Sequence, residues 1–278
     1  MRAQDLLAQG AMRLREAGQG DGARDARRLL AHVLDVPMAR LTLLMPDPVS
    51  AAQQATYLAL IKRRAAHEPV SHLTGTRQFY GRSFCVGPDV LDPRPETEIL
   101  VQAALDVPFE RVLDIGTGSG CILLSLLAAQ PEATGVGTDI SQPALEVAAR
   151  NARLLNLDTR VGFLQSAWFD RVIGVFDLIV SNPPYIAADE MAALVPELSY
   201  EARCALTDDG DGLEAYRIVT ARARTFLKPQ GWLMFEHGPT QAAAIQAMFQ
   251  TAGFGEISTR PDLDGRDRVT LGRNPAAS

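Results

Sequence analysis

The sequence predicts an α/β protein in which a mostly parallel, doubly wound sheet follows a small N-terminal helical bundle and a β-hairpin connector. From residue 111 onward, short runs of branched apolar residues alternate with helical patterns, which is the order of a doubly wound fold. The first of these runs leads directly into a glycine-rich turn, as the first strand of such sheets commonly does. Before residue 68, apolar residues recur instead at the spacing of amphipathic helices.

Residues 1–67 are predicted to form the helical domain. Apolar side chains recur three or four positions apart through residues 6–34, so that each helix has one apolar face. Pro46 and Pro48 then interrupt the pattern, and Ser50 is placed to cap the next helix. Packing the apolar faces together gives a small bundle.

Residues 68–92 are predicted to be the connector, and residues 93–278 a second, larger domain. Around Gly81, apolar and polar side chains alternate as in the two strands of a β-hairpin. Pro95 suits the first turn of a helix, because the N–H that proline lacks would have no partner there. The domain boundary is therefore expected within the connector.

The larger domain is predicted to hold a sheet of seven strands. Each candidate is a short apolar run, and helical patterns separate most of them. The strands are predicted at residues 111–115, 134–139, 160–164, 176–181, 232–236, 255–259 and 268–271. The tail from Asn274 to Ser278 is expected to be frayed.

The composition is that of an ordinary globular protein. Of the 278 residues, 47% are hydrophobic and 22% are charged, which is enough to bury a large core. No apolar stretch is long enough to span a bilayer, and the first residues do not resemble a secretory signal. We therefore expect a cytoplasmic protein that does not associate with membranes.

The cysteines and histidines do not predict a metal site. Cys85, Cys121 and Cys204 are scattered among apolar neighbours and lack the spacing of metal ligands or of a redox pair. They are expected to be reduced residues of the core. The four histidines form no paired motif.

Charge is unevenly distributed along the chain. Residues 1–85 hold 12 Lys and Arg against 7 Asp and Glu, whereas residues 86–278 hold 15 against 26. A basic N-terminal part suits an acidic protein or RNA partner, while an enzyme of duplex DNA would show more positive charge around its catalytic domain. A solvated helical surface is the alternative explanation.

The glycine-rich turn at residues 114–121 indicates a nucleoside-containing ligand. Glycines let the backbone approach a ligand closely, and Asp139, about 20 residues further on, can accept hydrogen bonds from both hydroxyls of a ribose. The spacing Gly-x-Gly-x-Gly differs from the dinucleotide pattern that is shaped around a pyrophosphate. This difference favours S-adenosylmethionine, which has no phosphate. Trp168 could lie against its adenine or belong to the core.

The stretch Asn182-Pro183-Pro184-Tyr185 ends a buried strand and is predicted to be the floor of an active site. Two prolines cannot continue a strand, and each restricts the residue before it, so this loop is stiff. The Asn182 side chain and the Pro183 carbonyl offer two acceptors for a substrate NH2, with Tyr185 packing on its planar group. A turn that merely ends a strand, with Tyr185 packing on its own fold, is the alternative.

With these motifs the chain resembles the HemK/PrmC family, the S-adenosylmethionine-dependent methyltransferases that modify a glutamine of peptide chain release factors. The resemblance runs nearly end to end. It is carried by the glycine turn, the Asn-Pro-Pro-Tyr loop, the segments Glu68-Pro69-Val70 and Leu73-Thr74-Gly75, residues 262–268, and the block Pro93-Arg94-Pro95-Glu96-Thr97-Glu98. The last block is the most discriminating of these.

The resemblance implies a Rossmann-like class I methyltransferase domain that methylates the amide nitrogen (N5) of the glutamine in the Gly-Gly-Gln motif of class 1 release factors. Its implied catalytic residues are Asn182 and Pro183. The implied substrate-binding residues are Asn182, Pro183, Pro184 and Tyr185. Cofactor binding is expected at Gly116, Thr117, Gly118, Ser119, Gly120, Asp139, Trp168 and Asn182. The basic helical domain is expected to dock the release factor, and no direct contact with nucleic acid is expected.

Two other functions remain open from the sequence. Methyltransferases of exocyclic amines in DNA, rRNA or tRNA share the Asn-Pro-Pro-Tyr loop, since a base amine is also a planar, conjugated NH2. A binding module carrying an inactive fold is the non-enzymatic alternative, which the intact glycine turn, Asp139 and Asn182 disfavour. Glu236, Glu96 and Glu98 are candidates for lining the site, but structural roles would fit them equally well.

Overall fold

The computed structural model describes residues 1–276 and divides into two compact units. The first, which we call the helical unit, consists of Met1–Thr76 and a short distant segment, Val195–Tyr200. The second, the sheet unit, consists of Arg77–Leu194 and the chain from Glu201 onward. The helical unit therefore extends past residue 67, where we expected the connector to begin, and it includes six residues from the middle of the chain.

The helical unit is a small bundle, as its amphipathic patterns predict. Its helices are α1 (Ala3–Glu16), α2 (Gly22–Val33), α3 (Met38–Leu41), α4 (Ala51–Ala65) and α5 (Val70–Thr74), with a 3₁₀ turn at Thr42–Leu44. Leu6, Leu29 and Ile61 are fully buried between the helices. Ser50 caps α4 as expected, because its hydroxyl accepts a hydrogen bond from the Gln53 backbone N–H at 3.3 Å.

A β-hairpin follows the bundle, as the alternation around Gly81 predicts. Strand β1 (Thr76–Phe79) pairs with β2 (Arg82–Cys85). The two residues between them, Tyr80 and Gly81, have φ angles of 46° and 72°. Positive φ at both central residues is what a two-residue hairpin turn requires for its twist to match the strands.

The sheet unit contains a sheet of seven strands whose order is β5-β4-β3-β6-β7-β9-β8. The strands are β3 (Arg111–Ile115), β4 (Thr134–Asp139), β5 (Val161–Gln165), β6 (Phe176–Ser181), β7 (Leu227–Glu236), β8 (Gly255–Pro261) and β9 (Asp267–Arg273). The first five in sheet order are parallel, and β9 runs antiparallel to both of its neighbours. This confirms the predicted mostly parallel sheet.

Helices flank this sheet between most strands. They are α6 (Glu98–Leu105), α7 (Cys121–Ala129), α8 (Gln142–Leu154), α9 (Glu214–Phe226) and α10 (Ala242–Thr251), and a 3₁₀ turn at Pro95–Thr97 leads into α6. Every residue of α7 from Cys121 to Leu127 is buried, which explains why this helix is apolar on all sides. Among the described residues, no helix is both long and apolar enough to cross a membrane.

The strand boundaries agree with the predictions to within two residues except at the start of β7, and the tail also differs. Strand β7 begins at Leu227 rather than at residue 232, because Leu227 already pairs with Phe176 of β6, and an irregularity in the pairing separates it from the regular ladder that begins at Trp232. The tail is ordered at Asn274, which is buried and donates side-chain hydrogen bonds to the carbonyls of Leu227 and Lys228. The expectation of fraying was therefore wrong at Asn274, and Ala277 and Ser278 lie outside the described residues.

The candidate site lies at the carboxyl ends of the central strands. Ile115 at the end of β3 is in register with Thr138 of β4 on one side and with Ser181 of β6 on the other. The strand order reverses at β3: the strands that come next in the chain, β4 and β5, lie on one side of β3, and the later strands, from β6 onward, lie on the other side. Doubly wound sheets bind ligands in the crevice outside the carboxyl ends of the strands at this reversal.

Candidate active site

The glycine-rich turn leaves open space on one side. Gly116, Gly118 and Gly120 have φ angles of 73°, 53° and 77°, a region that residues with a Cβ rarely adopt. A Cβ on Gly116 or Gly118 would meet no atom of the described residues within 4 Å, whereas one on Gly120 would lie 3.1 Å from Leu124 and 3.3 Å from Ala148. Gly120 therefore serves close packing on the helices, while Gly116 and Gly118 border open space.

Asp139 is bound to this turn. Its Oδ2 accepts a hydrogen bond from the Gly118 backbone N–H at 3.0 Å, and its Oδ1 accepts one from the Ser141 N–H at 2.9 Å. Burial raises the pKa of the Asp139 carboxyl above its ordinary value. Each oxygen keeps a further lone pair that can accept a hydrogen bond from a ligand hydroxyl.

A second acid, Asp114, forms a hydrogen bond with the turn on its buried side. It is fully buried, and its Oδ2 accepts a hydrogen bond from the Thr117 hydroxyl at 2.7 Å. Its Oδ1 has no partner among the described residues, and burial raises the pKa of the carboxyl to about 7. The Thr117 side chain therefore points to Asp114 rather than presenting its hydroxyl to a ligand.

Asn151, on α8, joins the turn to the β-hairpin. Its Nδ2 donates to the Ser119 carbonyl at 2.8 Å and to the Cys85 carbonyl at 3.0 Å, while its Oδ1 accepts from the Cys85 N–H at 2.7 Å. The residue is fully buried. Sequence reasoning did not identify it, because a single asparagine in an amphipathic helix carries no signal of these distant contacts.

The Asn-Pro-Pro-Tyr loop faces the same cleft as the glycine turn. Ser181, the last residue of β6, donates its hydroxyl to the Ile115 carbonyl at 2.7 Å and so fixes the start of the loop. The Asn182 Nδ2 donates to the Thr97 hydroxyl oxygen at 3.3 Å. Its Oδ1 is buried and has no hydrogen-bond partner among the described residues. Burying an acceptor without a partner is costly, so this oxygen is suited to receive a donor from a ligand.

Tyr185 packs on the protein's own fold. Its ring lies against the core cluster that contains Phe235 and Tyr216, and its carbonyl accepts a hydrogen bond from the Gln241 Nε2 at 2.9 Å. Burial raises the pKa of its phenol to about 12. This packing favours the second of the two interpretations given for Tyr185, and its contact with a substrate stays a prediction.

Trp168 packs on the core and also borders the cleft, and its contact with adenine stays a prediction. Its indole lines the cleft and also packs against the core cluster that contains Phe169. Its φ angle of 50° is unusual for a bulky residue. The cleft as a whole is lined by all the predicted cofactor residues except Gly120, together with Pro183, Pro184, Thr97, Asp89, Val90, Ser166, Ala202, Cys204 and Ala205 among others.

The Arg-Pro-Glu-Thr-Glu block contributes structure at the rim of the cleft. Arg94 forms an ion pair with the buried Glu201, whose neighbours in the chain line the cleft. Burial raises the pKa of Glu201 to about 7. Glu98 accepts a hydrogen bond from the Tyr80 backbone N–H at 2.8 Å, and Glu96 is exposed. Glu98 therefore holds the hairpin turn, which is a structural role.

Glu236 is a further acid that was considered for lining the site. Glu236, at the end of β7, is almost fully buried. Burial raises its pKa to about 7, while a hydrogen bond with Thr97 acts in the opposite direction.

The three cysteines differ in their exposure. Cys121 is buried, as expected for a core residue, and Cys85 is partly buried. Cys204 is exposed and lines the cleft, so its assignment to the core was wrong. Its neighbours Ala202 and Ala205 also face the cleft, which explains the apolar pattern around it.

Comparison with known proteins agrees with this architecture. Residues 5–75 match the family model described as the PrmC N-terminal domain, and residues 89–228 match the methyltransferase small domain. A methyltransferase from Pyrococcus furiosus shares the fold, with a TM-score of 0.55 and 17% identity over 81% of this chain and all of its own. The fold and the cleft at the carboxyl ends of the strands are those of a class I methyltransferase.

Two relatives define the family more closely. A release factor glutamine methyltransferase from Cereibacter sphaeroides is 50% identical over 278 residues, which is the full length of both chains. Another with the same name, from Burkholderia pseudomallei, is 45% identical over 91% of this chain and 92% of its own. The chain belongs to the release factor glutamine methyltransferase family, which confirms the resemblance and the enzyme class expected from the sequence.

Proposed function

We propose that this protein transfers the methyl group of S-adenosylmethionine to the side-chain amide nitrogen (N5) of the glutamine in the Gly-Gly-Gln motif of class 1 release factors. The observation that carries the proposal is the buried, unpartnered Oδ1 of Asn182, which belongs to the same cleft as the glycine turn and Asp139. The names of the two relatives support the choice of a protein glutamine as substrate.

The residues of the cleft fit S-adenosylmethionine. Gly116 and Gly118 border open space, the Asp139 oxygens keep lone pairs for ribose hydroxyls, and Trp168 offers an aromatic face for adenine. When bound, S-adenosylmethionine supplies an electrophilic methyl group on its sulfonium. Thr117 and Ser119 contribute through the backbone of the turn, since the Thr117 hydroxyl is occupied by Asp114.

Asn182 and Pro183 are proposed to orient the substrate. An amide nitrogen is a poor nucleophile because its lone pair is delocalised, so the enzyme gains most by fixing its direction of approach. The Asn182 Oδ1 and the Pro183 carbonyl would accept the two hydrogens of the glutamine NH2, and the latter accepts no hydrogen bond from the described residues. Both acceptors also favour the positive charge that develops on nitrogen. The methylated amide cation is strongly acidic, so its proton can leave to water without a dedicated base.

The helical unit is proposed to dock the release factor. Residues 1–76 of this unit hold 10 Lys and Arg against 7 Asp and Glu, and Val195–Tyr200 adds Glu197, so the unit has a small excess of basic residues that favours an acidic protein surface. We expect the reaction in the cytoplasm, with no direct contact with nucleic acid and none with membranes. Pro184 and Tyr185 are proposed to complete the wall that receives the glutamine.

Mass spectrometry after incubation tests the proposal. The purified protein, S-adenosylmethionine and a class 1 release factor should yield one added methyl group, located on the glutamine of Gly-Gly-Gln. The control is the same release factor with that glutamine replaced by alanine, which should acquire no label. If the methyl group instead enters DNA, rRNA or tRNA and none enters the release factor, the enzyme is a nucleic-acid amino methyltransferase and the proposal fails.

A further inference from the structure

Three residues from separate elements form a chain of contacts behind the substrate-facing oxygen of Asn182. Thr97 comes from the 3₁₀ turn before α6, Asn182 from the loop after β6, and Glu236 from the end of β7. The Thr97 oxygen accepts a hydrogen bond from the Asn182 Nδ2 at 3.3 Å, and the interaction of Thr97 with the Glu236 carboxyl acts to lower the pKa of that carboxyl. Thr97 and Glu236 are only 2% and 1% exposed, so water competes little for these contacts.

We propose that Thr97 is a positioning residue whose hydroxyl, oriented by Glu236, fixes the Asn182 amide so that its oxygen rather than its nitrogen faces the substrate. The proposal rests on the proposed function, because it assigns Asn182 Oδ1 as the acceptor for the glutamine NH2. It extends that function to two residues that need not touch the substrate.

The numbers of donors and acceptors around Thr97 fix the orientation of the Asn182 amide. A hydroxyl has a single hydrogen, and a carboxylate can only accept, so the hydrogen of Thr97 is directed to Glu236. The Thr97 oxygen can then only accept from Asn182, and only the Nδ2 end of the amide can donate. A flipped Asn182 would place two acceptors against each other on the Thr97 side. On the substrate side, the same flip would present a donor to the donor NH2 of glutamine.

Glu236 controls this preference through its charge. Its Oε2 has no hydrogen-bond partner among the described residues, and burial raises its pKa to about 7. When the carboxyl is protonated, its O–H can donate to Thr97, whose own hydrogen is then free to turn toward Asn182. Either end of the Asn182 amide can then face Thr97, and the preferred orientation is lost. The titratable groups around Glu236 are Arg268, Arg94, Glu96, Tyr185, Tyr216 and Cys121.

The first test compares Thr97→Val with Thr97→Ser. Valine keeps the shape of threonine but removes the hydroxyl, so kcat for release-factor methylation should fall roughly fivefold to tenfold, as expected for one orienting hydrogen bond. Cofactor affinity, measured by calorimetry, should change by less than about twofold, and Thr97→Ser should keep most of the activity. Thr220→Val is the matched control, since Thr220 is buried in α9 without a hydroxyl partner among the described residues and lies outside the cleft.

The pH profile separates positioning from a merely structural role. Wild-type kcat should fall as the pH drops below about 7, because Glu236 becomes protonated. Glu236→Gln removes the titrating carboxyl, and the introduced amide can donate to Thr97 as the protonated carboxyl can, so the acid limb should disappear and kcat at pH 8 should fall toward the wild-type value at low pH.

Two results would overturn the inference alone: a Thr97→Val enzyme with wild-type kcat, or a Glu236→Gln enzyme with an unchanged acid limb. If the wild-type protein methylates no release factor at all, the proposed function fails and this inference fails with it. The two failures are therefore distinguished by the wild-type reaction, which is measured first.

Discussion

The carboxylate of Asp139 accepts a hydrogen bond from the backbone N–H of Gly118, with 3.0 Å between Oδ2 and the nitrogen. This bond joins the end of β4 to the glycine turn that follows β3. The same carboxylate thus orders the turn and keeps lone pairs directed at the cleft that the turn borders. A change at Asp139 should therefore be felt first in cofactor binding.

Asp139→Ala should weaken S-adenosylmethionine binding roughly 10-fold to 100-fold, since it removes charge-assisted hydrogen bonds to the ribose. Methyl transfer at saturating cofactor should change much less. Calorimetry measures the first quantity and single-turnover kinetics the second. Asp158→Ala, at an exposed acid outside the cleft, is the control. Unchanged cofactor affinity in Asp139→Ala would disprove the role of this residue.

Asn182→Ala should have the opposite profile. It removes an acceptor that orients the substrate NH2 and favours its developing charge, so kcat should fall by about 100-fold. Cofactor affinity should fall much less. The measurements are the rate of release-factor methylation and the calorimetric Kd for S-adenosylmethionine. Equal losses in both would assign Asn182 chiefly to the cofactor, which is the other role predicted for it.

Gly212→Ala should disturb the Asn-Pro-Pro-Tyr loop from behind. Gly212 has a φ angle of 73°, and a Cβ there would lie 2.3 Å from the Tyr185 carbonyl oxygen. The loop must move to accept it, so we expect kcat to fall by a larger factor than the equilibrium constant for folding. Gly162→Ala is the matched control, because a Cβ on Gly162 meets no atom within 4 Å and its φ is not positive. Full activity of Gly212→Ala would show that the loop tolerates this displacement.

Asp114→Asn should change how stability depends on pH. Burial raises the pKa of Asp114 from its ordinary value of 3.8 to about 7, so between these values the folded protein holds a proton that the unfolded chain has released. The wild-type free energy of unfolding should therefore fall as the pH rises through this window. Asparagine does not titrate, so this contribution is absent from the variant.

Urea denaturation of the cofactor-free protein at pH 5 and pH 8 measures the effect. Relative to wild type, Asp114→Asn should gain on the order of 2 kcal/mol between the two pH values. The exposed Asp158→Asn variant should track the wild type. If the difference between Asp114→Asn and wild type is the same at both pH values, the pKa of Asp114 is not raised.

Two neighbouring arginines of α4 should differ sharply in their contributions to stability. Arg64 is buried and pairs with the buried Asp25 at 2.7 Å and with Glu197 at 3.2 Å, whereas Arg63 is exposed and pairs with Glu68. Arg64→Ala leaves a buried carboxylate unpaired and should cost about 3 kcal/mol. Arg63→Ala should cost less than about 1 kcal/mol. Equal costs in urea denaturation would contradict this account.

Local sequence signals predicted most of the fold. Strands β3, β4 and β6 begin and end at the predicted residues, and β3 and β6 are apolar because they are buried along most of their length. Strand β7 begins earlier than predicted because Leu227 pairs with Phe176 of β6 before an irregularity in the pairing, and the residues of that irregularity, Lys228, Pro229 and Gln230, carry no strand pattern. Helix α5 follows Pro69 and lies within residues 68–92, the segment that was predicted to be the connector.

Some residues of the candidate site were also predicted from local sequence signals, and others were not. The glycine turn, Asp139 and the Asn-Pro-Pro-Tyr loop were predicted, since each lies at the end of a recognisable strand and carries its chemistry locally. Thr97 and Glu236 were not paired by the sequence, because they are far apart in the chain and meet only when β7 lies beside β6. The contacts that orient a side chain come from the tertiary fold, and single residues carry no local sign of them.

The membership of Val195–Tyr200 in the helical unit has a consequence for how this protein can be recombined. The chain passes between the units after Thr76, before Val195 and after Tyr200, so a helical unit taken from a relative by one breakpoint arrives incomplete. In such a chimera, the residues at positions 197 and 200 would come from a different protein than the rest of the helical unit. Here Glu197 pairs with Arg64, and the Tyr200 hydroxyl donates to the Ala66 carbonyl at 2.6 Å. A chimera that keeps both units intact needs three breakpoints.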